Sequence, residues 1–589
     1  MIGSSIRHSP LSRIAAALTG AAALAISSPA FASSADYFQS RAASQTVPDI
    51  LDRADDAYYR ALFKAIDREQ WTAVESMLAS RTDGPLHKIA QAEYYLHANS
   101  PRIEGDRIAA WLAQGTSLPQ AEQIVRLGMK RGLSYVPALP AEQPFARQPY
   151  SSKRILPSGT ADATMPAEIS SAILDRIKND DPDSARLLLD GIDASLSSAA
   201  RAEWRQRVAW SYYIENNDAA ALAMANTVRE GSGPWVAEGD WVAGLAAWRL
   251  GNCDIAGDAF NRAATDSSNN ELTAAAHYWA NRAFVRCRYP ERAAEQLRGA
   301  ARLDETLYGM LAREQLGHEL SADHAAPDFS GADWQRLGGN DNVRAAIALA
   351  QIGRAGLADD VLRHQARIGD PQNYDALSRL AREMGLPGTQ LWMAHNAPYG
   401  TRAQPALRFP VTRWTPIDGW KIDPALAYAH ALQESNFRPA VVSPAGAKGL
   451  MQIMPIAARE HAASLNMDAA YADLADPRVN LSFGQRNLEA LRDSGVTDGL
   501  LPKIMAAYNA GLTPVGRWNS EVRDLGDPLL YMESIPYWET RGYVAIVMRN
   551  YWMYERQAGA NSDSRVALAQ GMWPTFPAVT GGNLHLSAR

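Results

Sequence analysis

Trp241-Val242-Ala243-Gly244-Leu245-Ala246-Ala247-Trp248-Arg249-Leu250-Gly251-Asn252-Cys253-Asp254-Ile255-Ala256-Gly257-Asp258-Ala259-Phe260-Asn261-Arg262-Ala263-Ala264 reads as two helices separated by one break. Apolar and small residues recur at three- and four-residue intervals on both sides of Gly251-Asn252, a pair that stops one helix and begins another. The pattern repeats on either side. Trp210 to Ala225 breaks at Asn216-Asn217-Asp218, and Tyr278 to Ala301 breaks at Arg288-Tyr289-Pro290. The breaks recur about every 34 to 37 residues, near the period of helical-hairpin repeats. A lone hairpin cannot bury its apolar face, so neighbours stack. Residues 167–317 are therefore expected to form an α-solenoid, with an irregular α-helical domain as the alternative.

Helical periodicity extends outward from this block. It covers residues 55–132, and then 343–367 and 374–384 as far as Pro398. Residues 139–166 are rich in Pro, Ser and Ala and read as a long loop or linker, and 399–409 as a connector. The expected class is all-α: a superhelical domain over 33–317, a short helical linker domain over 318–409, a further helical unit over 410–556, and an extension over 557–589. At 589 residues the chain is too long for one hydrophobic core. With 47% hydrophobic residues it is not dominated by disorder.

Arg7 and Arg13 precede an apolar, Ala-rich stretch from Ile14 to Ile26, followed by Ser27-Ser28-Pro29-Ala30-Phe31-Ala32. Residues 1–32 read as a secretory signal peptide cleaved after Ala32. The apolar stretch is shorter than the roughly 20 residues of a membrane span. No cysteine follows the cleavage region to carry a lipid, so a protein in the periplasm without a membrane anchor is expected. The only cysteines, Cys253 and Cys287, lie far from any motif; they give no support for a metal site or thiol catalysis, and sequence leaves open whether they pair. The formal net charge of −6 offers no footprint for nucleic acid. No cofactor is implied.

One carboxylate stands out. Glu434 lies in Ala431-Leu432-Gln433-Glu434-Ser435-Asn436-Phe437. A helix beginning with Asp423 as N-cap and Pro424 in its first turn puts Glu434 in the last turn, at the negative end of the backbone dipole. That field, with apolar neighbours Leu432, Phe437, Leu450 and Met454, is expected to raise its pKa and keep a proton available near neutrality, as a general acid requires. No other acidic residue lies between Glu434 and Pro455. Asp418 reads as a turn residue, Asp423 as a cap, and Glu539 as the serious second carboxylate.

Four motifs follow in order: Glu434-Ser435; Ser443-Pro444-Ala445-Gly446-Ala447-Lys448-Gly449-Leu450-Met451-Gln452-Ile453-Met454-Pro455; Ala506-Ala507-Tyr508-Asn509-Ala510-Gly511; and Ile535-Pro536-Tyr537-Trp538-Glu539-Thr540-Arg541-Gly542-Tyr543. Together they resemble the soluble lytic transglycosylases. The resemblance implies a lysozyme-like catalytic domain, a superhelix closed into a ring, and peptidoglycan glycan strands as substrate, with cell-wall synthesis or remodelling proteins as possible partners. It implies that Glu434 first protonates the glycosidic oxygen and then, as carboxylate, deprotonates the C6 hydroxyl of the muramoyl residue, leaving a 1,6-anhydro ring. A lysozyme-type hydrolase and a helical scaffold with an idle catalytic module are the alternatives.

The same resemblance assigns further residues to the substrate. Ser443 would contact the N-acetyl group, or else serve its own turn. Gln452 can donate to and accept from an acetamido sugar. Met454 would line the groove, and Tyr508 would bring its hydroxyl toward the acid and the reacting sugar. Asn509 serves substrate or the turn. Glu539 supports sugar or peptide contacts, or instead pairs with Arg541 or caps a helix. Tyr543 and Tyr551 read as wall or core residues. The chain departs from the family pattern at Ala457, often Thr, and near Asn487, often Tyr.

Overall fold

The computed structural model describes residues 33–44, 46–81, 83–321 and 327–577; the leader-like segment 1–32 and the end of the C-terminal extension lie outside them. Among the described residues there are 28 α-helices and a single two-stranded ribbon. The chain is all-α, as its periodicity indicated.

Turn chemistry explains the repeats. Hairpins Ala167–Lys178/Pro182–Asp190, Ser198–Ile214/Asp218–Thr227, Trp235–Arg249/Cys253–Asp266 and Asn270–Arg286/Pro290–Ala301 each turn on one residue of positive φ: Asp180, Asn216, Gly251 and Arg288. These positions recur about every 36 residues, so the array contains one hairpin more than the three sequence breaks marked. Residues that follow start the next helix. Asp181 and Asn217 accept from the backbone N–H of Ser184 and Ala220, and Pro182 and Pro290 occupy first-turn positions that have no N–H to satisfy. Cys253 and Cys287 form a disulfide with Cα atoms 5.7 Å apart, tying the first residue of one helix to the end of the next. A metal has no place there.

The cores do not follow chain order. In one, the hairpins pack with residues 409–573, and the first helix, Ser34–Ala43, joins them through Tyr37 and Phe38. Phe38 meets Tyr428 edge-on with centroids 5.2 Å apart. The second core joins residues 47–125 with residues 329–403, which are distant in sequence. Between the two runs the Pro-rich segment. Its Phe145–Arg147 strand pairs antiparallel with Asn396–Pro398; farther on, Ser152 accepts through its carbonyl from Arg549 and Ser158 likewise from the Trp235 indole. The linker is a strap laid across both bodies.

Candidate active site

The Pro424–Ser435 helix carries Glu434 in its last turn. Asp423 caps it by accepting from the Ala425 N–H at 2.9 Å, and also accepts from Ser34 and Tyr551, so this buried carboxylate is fully employed as a cap. At the other end Asn436 adopts the left-handed conformation, and Phe437 follows it at φ 56°. Two successive non-glycine residues of positive φ, one of them aromatic, are costly and turn the chain abruptly beside the acid.

Burial pushes the Glu434 carboxyl up to about 7; the negative charge of Glu539 adds to the rise and the Tyr543 hydroxyl opposes it. Tyr543, anticipated as a wall or core residue, is buried but aims its hydroxyl at the Glu434 Oε1, 2.7 Å away. The same hydroxyl lies 2.7 Å from His430 Nδ1. His430 is fully buried, with its pKa pushed down to about 3 by desolvation, so the imidazole is neutral. With Tyr543 donating to the carboxylate, Nδ1–H of His430 donates to the tyrosine oxygen. The His430 and Tyr508 rings lie 4.5 Å apart, and Tyr508 and Tyr543 are nearly parallel. Sequence inspection missed this chain because His430 and Tyr543 are 113 positions apart. The one available signal was His430 four residues before Glu434, on the same helix face.

The loop after Glu434 is held from within. Ser443 Oγ accepts from the Ala447 N–H at 3.0 Å, which leaves its own proton without a partner among the described residues. Gln452, at φ 48°, donates to the Gly449 carbonyl at 2.8 Å, and its Oε1 stays free. Gly449 is required: it has φ 76°, and a Cβ there would lie 2.2 Å from both Asn480 Nδ2 and the Leu474 carbonyl oxygen. Buried Asn480 accepts from Met451 N and donates to Lys448 and Leu474 oxygens, a supporting role no local pattern announces.

Met454 is 40% exposed, so it is not a core residue. Tyr508 donates to the Met451 carbonyl at 2.7 Å, which directs its hydroxyl to the loop backbone rather than to Glu434. Asn509 Oδ1 accepts from Thr540 at 2.6 Å and so joins the third motif to the fourth. Glu539 is exposed in the first turn of the Trp538–Ala558 helix and makes no ion pair among the described residues. Arg541 does not pair with it; its guanidinium lies over the Trp210 and Trp538 rings. Asp418 binds Arg486, Ser482 and Gln485, which is a structural task.

Fold and site together define the class: an all-helical protein in which stacked hairpins pack against a further helical domain that buries the Glu434 carboxyl group and raises its pKa. Residues 416–530 match the family model described as Transglycosylase SLT domain. The soluble lytic murein transglycosylase of Escherichia coli K12 is 38% identical over 133 residues, which are 22% of this chain and 20% of that protein. Its counterpart in Salmonella typhimurium is 37% identical over 150 residues, 24% of this chain and 22% of that protein. The match thus spans about a fifth of the length of these curated relatives. The crystal structure of the 70 kDa soluble lytic transglycosylase from Escherichia coli superposes with a TM-score of 0.49 at 17% identity, covering 89% of this chain and 99% of that one.

Proposed function

We propose that the chain is a peptidoglycan lytic transglycosylase that cleaves the β-1,4 bond between N-acetylmuramic acid and N-acetylglucosamine and leaves a 1,6-anhydromuramoyl product. The observation that carries this reading is Glu434, a single carboxyl group held near pKa 7. It is protonated often enough at neutral pH to donate to the glycosidic oxygen and basic enough afterwards to remove a proton. Once Glu434 is ionised, the Tyr543 hydroxyl donates to it and steadies the charge until it takes the proton of the C6 hydroxyl. That hydroxyl attacks C1, so no water enters. A two-carboxylate hydrolysis needs a second acid placed as nucleophile or base; Glu539, the one other acid whose charge is felt at Glu434, is exposed at the rim. The free Ser443 proton and Gln452 Oε1 suit an N-acetyl group, and we assign Met454, which is exposed, and Asn509 to the same substrate.

Export to the periplasm fits the leader-like segment, and the Cys253–Cys287 disulfide is of the kind that persists in oxidising compartments. Among the described residues no helix is long and apolar enough to cross a membrane. Digestion of purified sacculi with the full mature chain, beside Glu434→Gln, tests the reaction by mass spectrometry. Products lighter by one water than hydrolysed muropeptides, absent with the variant, are expected; reducing-end products would replace this reading with a hydrolase.

A further inference from the structure

The helix Pro477–Arg492 carries none of the four motifs, yet three of its positions converge on one residue of the loop after Glu434. Asn480, Gly484 and Asn487 are four and then three residues apart, so they share one face. That face meets Met451, the residue before Gln452. Asn480 Oδ1 accepts from the Met451 N–H at 2.8 Å. Gly484 makes room for the Met451 side chain: a Cβ there would overlap its Sδ and lie 2.7 Å from its Cε. Asn487 reaches the Met451 carbonyl at one remove, through Tyr508.

The sense of that last link follows from which groups can donate. Tyr508 gives its one proton to the Met451 carbonyl, 2.7 Å away, so its oxygen accepts from Asn487. Burial and the charge of Glu434 push the Tyr508 pKa up, and the Asn487 contact opposes them. Asn487 therefore turns Nδ2 toward the tyrosine and Oδ1 toward His461 Nε2, which lies 3.4 Å away on the helix Pro455–Ala462 and donates to it. With the opposite polarity, Nε2 would accept from Nδ2, Tyr508 would donate to Asn487, and the Met451 carbonyl would lose its donor. His461, Asn487 and Tyr508 thus form a second hydrogen-bonded chain, separate from the one that ends on Glu434. It steadies an uncommon backbone, because Gln452 next to Met451 has φ 48° and carries the free Oε1 assigned above to an N-acetyl group.

We propose that Asn487, oriented by His461, is a positioning residue for glycan binding: through the Tyr508 hydroxyl it holds the Met451 peptide and so aims Gln452 at the sugar. The inference rests on the peptidoglycan reading above and deepens it by naming what fixes the recognition loop. Asn487 acts on binding, whereas Tyr543 acts on the acid.

Isothermal titration calorimetry of an N-acetylglucosamine tetramer on the full mature chain, at about pH 8, tests this. Asn487→Asp keeps the size of the side chain and the oxygen for His461 but, ionised at that pH, cannot donate to Tyr508. Binding is expected to weaken about tenfold, the scale of one hydrogen bond, in Asn487→Asp and in Asn487→Leu alike. A residue that merely filled space would tolerate the aspartate. Tyr508→Phe should weaken binding by at least as much, and adding Asn487→Leu to it should cost nothing further, because Asn487 acts through that hydroxyl. On soluble glycan strands the loss should fall on KM and leave kcat within about twofold. Undiminished binding by Asn487→Asp, additive losses in the double variant, a loss carried by kcat, or a wild-type protein that does not bind the tetramer would overturn the proposal. If Asn487→Asp does not fold by circular dichroism, Asn487→Leu with and without Tyr508→Phe still decides. Failure of the transglycosylase reading would show instead as missing anhydro products from sacculi, with the binding losses intact.

Discussion

Replacing Glu434 by Gln should stabilise the protein in a pH-dependent way. The Gln side chain keeps an oxygen to accept from Tyr543 but cannot ionise. A rise in carboxyl pKa from 4.5 to about 7 corresponds, at about 1.36 kcal/mol per pH unit, to roughly 3 kcal/mol. The sign follows from proton binding. Below pH 4.5 Glu434 is protonated in both the folded and unfolded chain and contributes no difference. As pH rises the unfolded chain releases the proton first, so wild-type stability falls, and the loss is complete above about pH 7. The variant escapes this loss, whereas every other carboxylate titrates alike in both proteins. With an unfolding entropy of about 2.1 cal/mol/K per residue, a cooperative unit of about 550 residues gains roughly 2–3 °C. Differential scanning calorimetry at about pH 4 and about pH 8 would read the difference in Tm. The variant should match the wild type at the lower pH and exceed it at the higher. An equal offset at both, or a variant less stable at pH 8, would refute the claim that burial holds Glu434 protonated.

Tyr543→Phe removes the one contact that lowers the Glu434 pKa, so the alkaline limb of the rate–pH profile for release of anhydro products should move to higher pH; an unmoved limb with reduced rate would mean that Tyr543 does not act through the carboxyl group. His430→Phe should disturb the same limb without touching substrate, because Tyr543 loses its second partner; binding of an N-acetylglucosamine tetramer should be unchanged by calorimetry. Cys253→Ser with Cys287→Ser opens a cross-link with a sequence separation of 34, worth about 4 kcal/mol by loop-closure entropy, and a matching fall in Tm should appear on adding reductant to the wild type. Phe38→Ala empties a fully buried aromatic position and should cost about 3–5 kcal/mol, measured by thermal melting, although Phe38 is remote from the substrate groove in sequence.

What the sequence disclosed was local. Asp423 and Pro424 announce the start of the helix, and counting turns from them places Glu434 at its end. The breaks at Asn216, Gly251 and Arg288 were readable because left-handed residues and caps are short-range chemistry; the Asp180 turn follows the same rule. Tertiary partners were not legible. Nothing near Tyr543 distinguishes a wall residue from a donor to Glu434, and nothing near residues 47–125 tells that they share a core with residues 329–403. Pairing with Arg541, one of the alternatives for Glu539, does not form, because the helix turns the two side chains to different faces.

The helix Ser34–Ala43 has a consequence for the order of assembly. Ser34 donates to Asp423 across 389 positions, and Phe38 fills the space between Tyr428 and Tyr554. These are the first residues of the described chain to be synthesised, and they must wait for nearly the last before they have anything to pack on. Contacts of such separation are closed late and slowly, since loop entropy is spent before they form. Residues 410–577 expressed alone would therefore expose Tyr428 and Tyr554 and leave the Asp423 carboxylate short of a donor, an aggregation-prone product.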